Sequence, residues 1–132
     1  VRRLKERGGK VIIIDIRDTP ATKNLADIFL KIKPGTDGAL ALGMAKLIIE
    51  NGWADMDYVR KYTYGFEQYK ALADEYPLDK VAEITGLNPD DIFEATKVYA
   101  TNGPPAPTSL PPQSCIISTA SIRSARLCAW VL

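Results

Sequence analysis

The chain has 132 residues, with 17 lysines and arginines against 16 acidic residues and no histidine, so its formal charge is +1. This length is typical of one domain with a substantial core. The near-neutral charge argues against a nucleic-acid partner. The absence of histidine excludes Ser-His-Asp and Cys-His catalysis within the chain, and two cysteines cannot supply a four-cysteine metal site. No apolar run is long enough for membrane insertion, and no export signal is recognisable, which leaves the localisation unknown.

Composition changes abruptly at Gly103. Residues 1–102 contain all 16 acidic residues, 15 of the 17 basic residues and no serine, whereas residues 103–132 contain all five serines, both cysteines and five of the nine prolines. The prolines of this second segment exclude a helix interior and favour an extended path. We therefore divide the chain into a domain over residues 1–102 and a Pro/Ser-rich tail over residues 103–132. The tail is either a natural linker with a short terminal strand or helix, or a non-native end such as a frameshift, and we favour the second interpretation.

The first part of the domain predicts two buried strands. Residues 1–7 are typical of the end of a helix. Residues 11–14, Val-Ile-Ile-Ile, form a β-branched run expected in a parallel strand that is buried on both faces, with Asp15 at its carboxyl end. A short helix or turn over residues 21–27 then leads to residues 28–32, which alternate as a second strand does.

A longer helix is predicted next. Pro34 and Gly35 turn the chain, Thr36 or Asp37 caps the helix, and the helix ends near Gly52. Its apolar residues recur with the period of one helix face. These residues are Leu40, Gly43, Met44, Leu47 and Ile48.

Short helices account for the rest of the domain. A turn capped by Asp55 is followed by helices over residues 66–76 and 78–85, and Asn88 with Pro89 is a strong signal for another helix start. The packing face of this last helix comprises Ile92, Ala95, Thr96 and Tyr99. Strands followed by helices indicate an α/β fold with a helical appendage.

The first candidate site follows the first strand and contains Asp15, Arg17 and Thr19. Open parallel sheets bind ligands beyond the carboxyl ends of their strands. A carboxylate there can accept paired hydrogen bonds from a ribose diol or from one edge of guanine, and an arginine can bind phosphate or stack on a base. The competing interpretation is a polar strand end with an Asp–Arg ion pair, which the spacing alone favours.

The second candidate site follows the second strand and contains Gly35, Thr36 and Asp37. A glycine-containing loop that enters a helix presents unpaired backbone N–H groups. Thr36 and Asp37 can contact a nucleotide, or they can simply cap the helix, which is the interpretation that local sequence favours. No GxGxxG or Walker-type phosphate loop is present. Two consecutive strands in one sheet would place both loops side by side, as one shared site.

Two other groups of residues attract attention. Cys115 and Cys128 can pair, but neither has the surroundings of a catalytic thiolate. An aromatic group at helical spacing is predicted to serve packing rather than base stacking. Its members are Tyr58, Tyr62, Tyr64, Phe66 and Tyr69.

Several motifs resemble one enzyme family in order and spacing. Residues 9–19, GKVIIIDIRDT, are similar to the KVIVVDPRxT stretch of molybdopterin oxidoreductases, the dimethyl-sulfoxide-reductase family of molybdenum and tungsten enzymes. Residues 26–45 resemble the ADxxLxIxPGTDxALxxGM stretch of that family, and residues 48–52 and 62–67 match its usual continuation. Ile16 replaces the usual proline, which loosens the turn but removes no polar contact.

The resemblance implies a Rossmann-like parallel-sheet fragment that binds a cofactor. Members of the family hold molybdenum or tungsten in bis-molybdopterin guanine dinucleotide, and the matched region belongs to a domain that binds one of the two dinucleotides. The resemblance assigns no catalytic and no metal-ligating residue to this chain. The residues that it implies at the guanosine end are Asp15, Arg17, Thr19, Gly35, Thr36 and Asp37.

The resemblance also implies that the chain is a fragment of a catalytic subunit and has no redox activity in isolation. The cysteines for a 4Fe–4S cluster and the residue that ligates the metal are expected in the parent enzyme, outside this chain. The implied partners are the cofactor, the remainder of the catalytic subunit and an iron–sulfur electron-transfer subunit. The substrate, the choice of molybdenum or tungsten and the oligomeric state remain open.

Two alternatives come from other functional classes. Residues 12–17 resemble the strand of a receiver domain, with Asp15 as a phosphoacceptor, although no acidic pair precedes residue 11 to hold Mg²⁺. Residues 53–101 can alternatively form a helical interaction module without any ligand.

Overall fold

The computed structural model describes residues 2–103, 105–110 and 114–119. Helices and strands alternate in the first third of the chain, helices dominate the middle, and two strands follow. In chain order the elements are α1 (Arg2–Glu6), β1 (Lys10–Asp15), α2 (Pro20–Leu25), β2 (Ile28–Lys31), α3 (Asp37–Glu50), α4 (Met56–Tyr62), α5 (Phe66–Asp74), α6 (Leu78–Thr85), α7 (Pro89–Thr101), β3 (Pro105–Leu110) and β4 (Ser114–Thr119).

The described strands form one mixed sheet in the order β2-β1-β4-β3. Strands β1 and β2 are parallel, with Ile12 opposite Ile28 and Asp15 opposite Lys31. The other edge of β1 pairs with β4, which is antiparallel to both β1 and β3. The predicted α/β fold, with a parallel pair followed by a helical appendage, is confirmed. The antiparallel strands β3 and β4 extend the sheet beyond that prediction.

The main core lies on one face of the β1–β2 pair, beneath α3, α6 and α7. Side chains alternate along a strand, so Ile12 and Leu30 enter this core while Val11 and Ile13 are buried on the other face. The first strand is therefore buried on both faces, as its β-branched run predicts. The buried members of the core cluster are Ile12, Leu30, Ile32, Leu40, Met44, Leu47, Val81, Ile92 and Ala95.

Helix α3 packs with the face that the sequence predicts. Its five buried residues, from Leu40 to Ile48, are the five predicted ones. Near the carboxyl end of the helix, the backbone N–H of Trp53 donates to the carbonyl oxygen of Ile48 at 3.0 Å. Gly52 closes this turn with a φ of +65°, a left-handed conformation that glycine adopts without the strain of a side chain.

The helix starts of the appendage also follow the sequence. The Asp55 side chain accepts a hydrogen bond from the Tyr58 N–H at 3.0 Å and begins α4. The Asn88 side chain accepts one from the Asp90 N–H at 3.2 Å and begins α7, with Pro89 at the first helical position. Each cap satisfies a backbone donor that the helix itself leaves unpaired.

The packing role predicted for the aromatic group is wrong for two of its members. Tyr62 and Tyr64 have relative exposures of 61% and 101%. Tyr62 is the last residue of the seven-residue helix α4, and its ring contacts that of Tyr58, with the ring centroids 4.8 Å apart, but not the buried core. Tyr58, Phe66 and Tyr69 are partly buried.

The tail agrees in part with its predicted path. Residues 105–110 are extended, as their prolines favour, and they pair with β4. Cys128 lies outside the described residues, and the origin of the tail stays a prediction.

Among the helices of the described residues, none combines the length and the apolar character that a bilayer crossing requires.

A close approach between α3 and α6 gives the first testable prediction. A Cβ atom at Gly43 would lie 2.6 Å from Val81 Cγ2, and Val81 is fully buried. We expect G43A to lower the free energy of unfolding by about 1–3 kcal/mol, because an overpacked core forces neighbouring atoms to move. Urea denaturation of the 132-residue chain measures this change.

Gly38 supplies the matched control, because it also lies in α3 but has open space around its Cβ position. We expect G38A to be neutral or stabilising by up to about 1 kcal/mol, since alanine has the higher helix propensity. In the V81A background, G43A should lose most of its effect. Equal destabilisation by G43A and G38A would contradict the packing argument.

Burial of the Tyr69 phenol gives a prediction about pH. Desolvation raises the pKa of Tyr69 above its usual 10.0, so the unfolded chain releases this proton at lower pH than the folded chain does. The contribution of Tyr69 to stability is complete below pH 10 and falls as the pH rises above it. We expect Y69F to lose less stability than the wild type between about pH 10 and pH 11 in thermal melts.

The control for this pH experiment is Y64F, which removes a fully exposed phenol. The pH dependence of the unfolding free energy should be the same in Y64F and the wild type. An identical pH dependence in Y69F and Y64F would rule out the proposed desolvation effect.

Candidate functional site

The parallel register brings the two predicted loops to one edge of the sheet. Asp15 and Lys31 lie opposite each other at the carboxyl ends of β1 and β2. The backbone N–H of Ile32 donates to the carbonyl oxygen of Asp15 at 3.3 Å, which keeps the two chains together beyond the last register pair. Residues 16–19 and 33–36 therefore leave the same edge.

Asp15 is the buried acid of this edge, with a relative exposure of 5%. Its Oδ1 atom accepts a hydrogen bond from the backbone N–H of Arg17 at 3.0 Å. This bond folds the chain sharply after β1 and holds the carboxylate in place, while Arg17 is exposed. The Asp–Arg contact is thus a turn through the backbone, not the side-chain ion pair of the competing interpretation.

Thr19 has a structural role that its predicted ligand role did not include. Its hydroxyl oxygen accepts a hydrogen bond from the Thr22 N–H at 3.2 Å, and the Thr22 hydroxyl accepts one from the Thr19 N–H at 2.9 Å. These reciprocal bonds form a capping box that begins α2. The Thr-x-x-Thr spacing was the signal for it. The Thr19 hydroxyl can still donate its proton to a ligand.

The second loop turns at Gly35, which has a φ of +79°. Thr36 occupies the N-cap position of α3 but makes no capping hydrogen bond, so the predicted side-chain cap is not formed. Its hydroxyl instead donates to the carbonyl oxygen of Lys33 at 2.7 Å. Asp37 is exposed in the first turn of α3, where its charge complements the helix dipole.

The two loops flank the edge from different sides. Strand alternation directs the Asp15 side chain to the face of Val11 and Ile13, whereas α3 covers the opposite face. A ligand that contacts both Asp15 and Asp37 must therefore lie across the ends of the strands. This is the position at which open α/β sheets bind ligands.

An ion pair that no local sequence pattern indicates connects the two loops. Lys31 Nζ lies 3.0 Å from Asp18 Oδ2, and both side chains are about half exposed. Lys31 ends β2 and Asp18 belongs to the loop after β1, so the pair connects the two candidate segments. Only the register of the strands reveals it, since the two residues are 13 positions apart.

Asp27 is a second residue whose role depends on the fold. Its Oδ2 accepts a hydrogen bond from the buried Val11 N–H at 2.8 Å, and its Oδ1 lies 3.4 Å from Lys5 Nζ. Its own backbone N–H donates to the Val11 carbonyl oxygen at 2.8 Å. Asp27 thus fixes the beginning of β1 and places α1 beside it.

Within the described residues, no cluster of three or more His, Cys, Asp or Glu side chains can hold a metal ion.

Curated relatives share this segment of the chain. The sequence is 44% identical over 99 residues to acetylene hydratase of Syntrophotalea acetylenica, an alignment that covers 75% of the chain and 13% of the relative. It is 44% identical over 96 residues to the assimilatory nitrate reductase catalytic subunit of Bacillus subtilis, covering 73% and 13%. It is 36% identical over 99 residues to the F420-dependent formate dehydrogenase subunit alpha of Methanocaldococcus jannaschii, covering 75% and 15%.

A solved structure agrees with these sequence matches. Acetylene hydratase from Pelobacter acetylenicus superimposes with a TM-score of 0.74 at 43% identity, covering 78% of this chain and 14% of that one. No protein-family model matches the chain. The described residues thus form an α/β segment that is similar to a part of these much longer proteins. The chain belongs to the molybdopterin oxidoreductase (dimethyl-sulfoxide-reductase) family and spans about 13–15% of the length of the curated relatives cited.

The two acidic residues near β1 give a prediction about stability. Asp27 accepts a hydrogen bond from a buried backbone N–H, whereas Asp18 pairs with an exposed lysine. We expect D27A to lower the free energy of unfolding by about 1–3 kcal/mol, because the Val11 N–H loses its side-chain acceptor. The control D18A should lower it by less than about 1 kcal/mol. Urea denaturation of both variants would refute the assignment if D18A were the more destabilising.

Proposed function

We propose that residues 1–102 are part of the cofactor-binding domain of a molybdenum or tungsten oxidoreductase and bind the guanosine end of a molybdopterin guanine dinucleotide. The arrangement that carries this proposal is the shared edge of β1 and β2, from which the Asp15 and Pro34–Asp37 loops both leave. Residues 103–132 are the Pro/Ser-rich tail in this proposal, and strand β4 of this tail pairs with β1. The remainder of the catalytic subunit and an iron–sulfur subunit are the proposed protein partners.

The first loop fits the polar edge of guanine or a ribose. Asp15 is buried and its Oδ1 is fixed by the Arg17 N–H, so its carboxylate is already oriented before a ligand arrives. A carboxylate accepts two hydrogen bonds from adjacent N–H or O–H donors, and such charge-assisted bonds are strong. The exposed guanidinium of Arg17 can bind phosphate or stack on the base, and Thr19 keeps a hydroxyl proton to donate.

The second loop offers hydrogen-bond partners for the hydroxyl and amino groups of a nucleotide. Gly35 is exposed and leaves space for a ligand beside the backbone, since no atom lies within 4 Å of its Cβ position. Thr36 and Asp37 follow at the beginning of the 14-residue helix α3, where backbone N–H groups lack intrahelical partners. Asp37 can accept hydrogen bonds from hydroxyl or amino groups, and Thr36 retains acceptor capacity.

The role of the chain in this proposal is to bind and orient. The bound cofactor would supply the redox chemistry through its metal and dithiolenes. Asp15 and Asp37 would select and hold the guanosine, and Arg17 would neutralise phosphate charge. The sheet edge would fix the orientation of the bound dinucleotide. These contacts lie at the nucleotide end, so they set cofactor affinity and position.

Binding of GDP to the 132-residue chain tests the proposal. We expect weak but measurable binding by calorimetry, with a dissociation constant on the order of 1 mM or lower, because GDP offers only part of the cofactor surface. ADP should bind more weakly, since adenine lacks the adjacent N1–H and N2–H donors of guanine, from which one carboxylate can accept two hydrogen bonds together. D15N and D37N should each weaken GDP binding by roughly tenfold or more, because each variant loses a charge-assisted hydrogen bond to the ligand.

D57N is the matched control for these variants. Asp57 is an exposed aspartate in the first turn of α4, away from the sheet edge. GDP affinity should therefore be unchanged in D57N. The proposal fails if the folded chain shows no GDP binding, or if D15N and D37N bind GDP as tightly as D57N does.

A further inference from the structure

Lys33 connects the second loop to the end of α6. Its backbone N–H donates to the carbonyl oxygen of Thr85 at 3.1 Å, and its Nζ donates to the carbonyl oxygen of Glu83 at 3.1 Å. Both acceptors belong to the last turn of α6, whose carbonyl groups lack intrahelical partners and carry partial negative charge. The Lys33 ammonium group donates a hydrogen bond to one of these carbonyl groups, and its positive charge stabilises the carboxyl end of α6.

The backbone carbonyl group of the same lysine anchors Thr36. The Lys33 carbonyl oxygen accepts hydrogen bonds from the Thr36 hydroxyl at 2.7 Å and from the Thr36 N–H at 3.3 Å. Thr36 precedes the first residue of α3, so the position of Lys33 determines where α3 begins. A chain of hydrogen bonds therefore runs from the end of α6 through Lys33 to the second loop.

Gly86 leaves room for this lysine. It ends α6 with a φ of +77°, and its N–H donates to the Ala82 carbonyl oxygen at 2.8 Å. A Cβ atom at this position would lie 2.9 Å from Lys33 Cε and 3.4 Å from Lys33 Nζ. The left-handed φ favours glycine here, and an added methyl group would displace the end of the Lys33 side chain.

Thr85 holds this turn rigidly. It is fully buried, its hydroxyl donates to the Val81 carbonyl oxygen at 2.7 Å, and the hydroxyl oxygen of Thr85 accepts from the Leu87 N–H at 3.3 Å. Val81 belongs to the main core. The end of α6 is thus fixed to the core and can serve as a firm support for Lys33.

We propose that Lys33 is a positioning residue for the nucleotide site, because it docks the Pro34–Asp37 loop on the last turn of α6. This inference rests on the proposed guanosine-binding function and adds to it a role for the helical appendage. The appendage then fixes Thr36 and Asp37 in the geometry that a guanosine meets, without contacting the ligand itself. Loss of the docking contact should weaken binding although Asp15 and Asp37 remain in place.

The first test compares K33M with K33R, using guanosine and GDP as separate probes. Methionine keeps the unbranched apolar stem of the side chain and removes the terminal hydrogen-bond donor, whereas arginine restores a cationic donor. We expect K33M to weaken binding of both probes about three- to tenfold, and K33R to recover most of the loss. Guanosine carries no phosphate, so a K33M effect confined to GDP would show a direct phosphate contact and overturn the positioning role.

The second test separates the contact with Lys33 from backbone strain. G86A introduces a methyl group against Lys33, while G52A introduces one at a similar left-handed φ with open space around it. Both variants should lose comparable stability from strain, but only G86A should weaken guanosine binding. In the K33A background, G86A should have little further effect on binding, because the obstructed side chain is absent. Equal guanosine affinities in G86A and G52A would overturn the inference.

Hydrogen exchange distinguishes failure of this inference from failure of the proposed function. In the ligand-free chain, K33M and G86A should speed exchange of the Thr36 amide several-fold, and K33R and G52A should not. A wild-type chain that binds neither probe defeats the guanosine-binding function whatever the exchange data show. A wild-type chain that binds, with no change in exchange or affinity in K33M, defeats the docking role alone.

Discussion

The parallel pairing of β1 and β2 is the constraint on which the rest of the structure depends. It places Asp15 opposite Lys31 and brings two loops from separate parts of the sequence to one edge. Parallel strands are joined by a crossover connection, here through α2, and are usually buried. Burial of Val11, Ile12 and Leu30 stabilises the pair. Without that register, Asp15 and Asp37 would be unrelated polar residues in two ordinary turns.

The helical appendage has a direct connection to this edge. Helices α3, α6 and α7 bury one face of the strand pair, and the close contact between Gly43 and Val81 sets how near α3 and α6 approach. Because α6 ends beside Lys33, that packing distance also determines where the second loop lies. Core packing and the geometry of the candidate site are therefore parts of one arrangement.

Much of the fold could be predicted because its signals are local. The β-branched run marked β1, the spacing of five residues marked the buried face of α3, and Asn88 with Pro89 marked the beginning of α7. Exposure of Tyr62 and Tyr64 could not be predicted, because periodicity does not say whether a neighbouring element covers a helix face. The aromatic spacing alone therefore predicted a burial that Tyr62 and Tyr64 do not have.

The sequence by itself determined the class of fold, the order of the elements as far as α7, the family motifs and the six candidate binding residues, since each depends on residues close together in the chain. The tertiary structure alone decided how those residues are held. The ion pair of Asp18 with Lys31 and the anchoring of Val11 by Asp27 connect residues that are 13 and 16 positions apart. Lys33 and Glu83 are 50 positions apart, so no local pattern could pair them; strand register and helix packing bring them together.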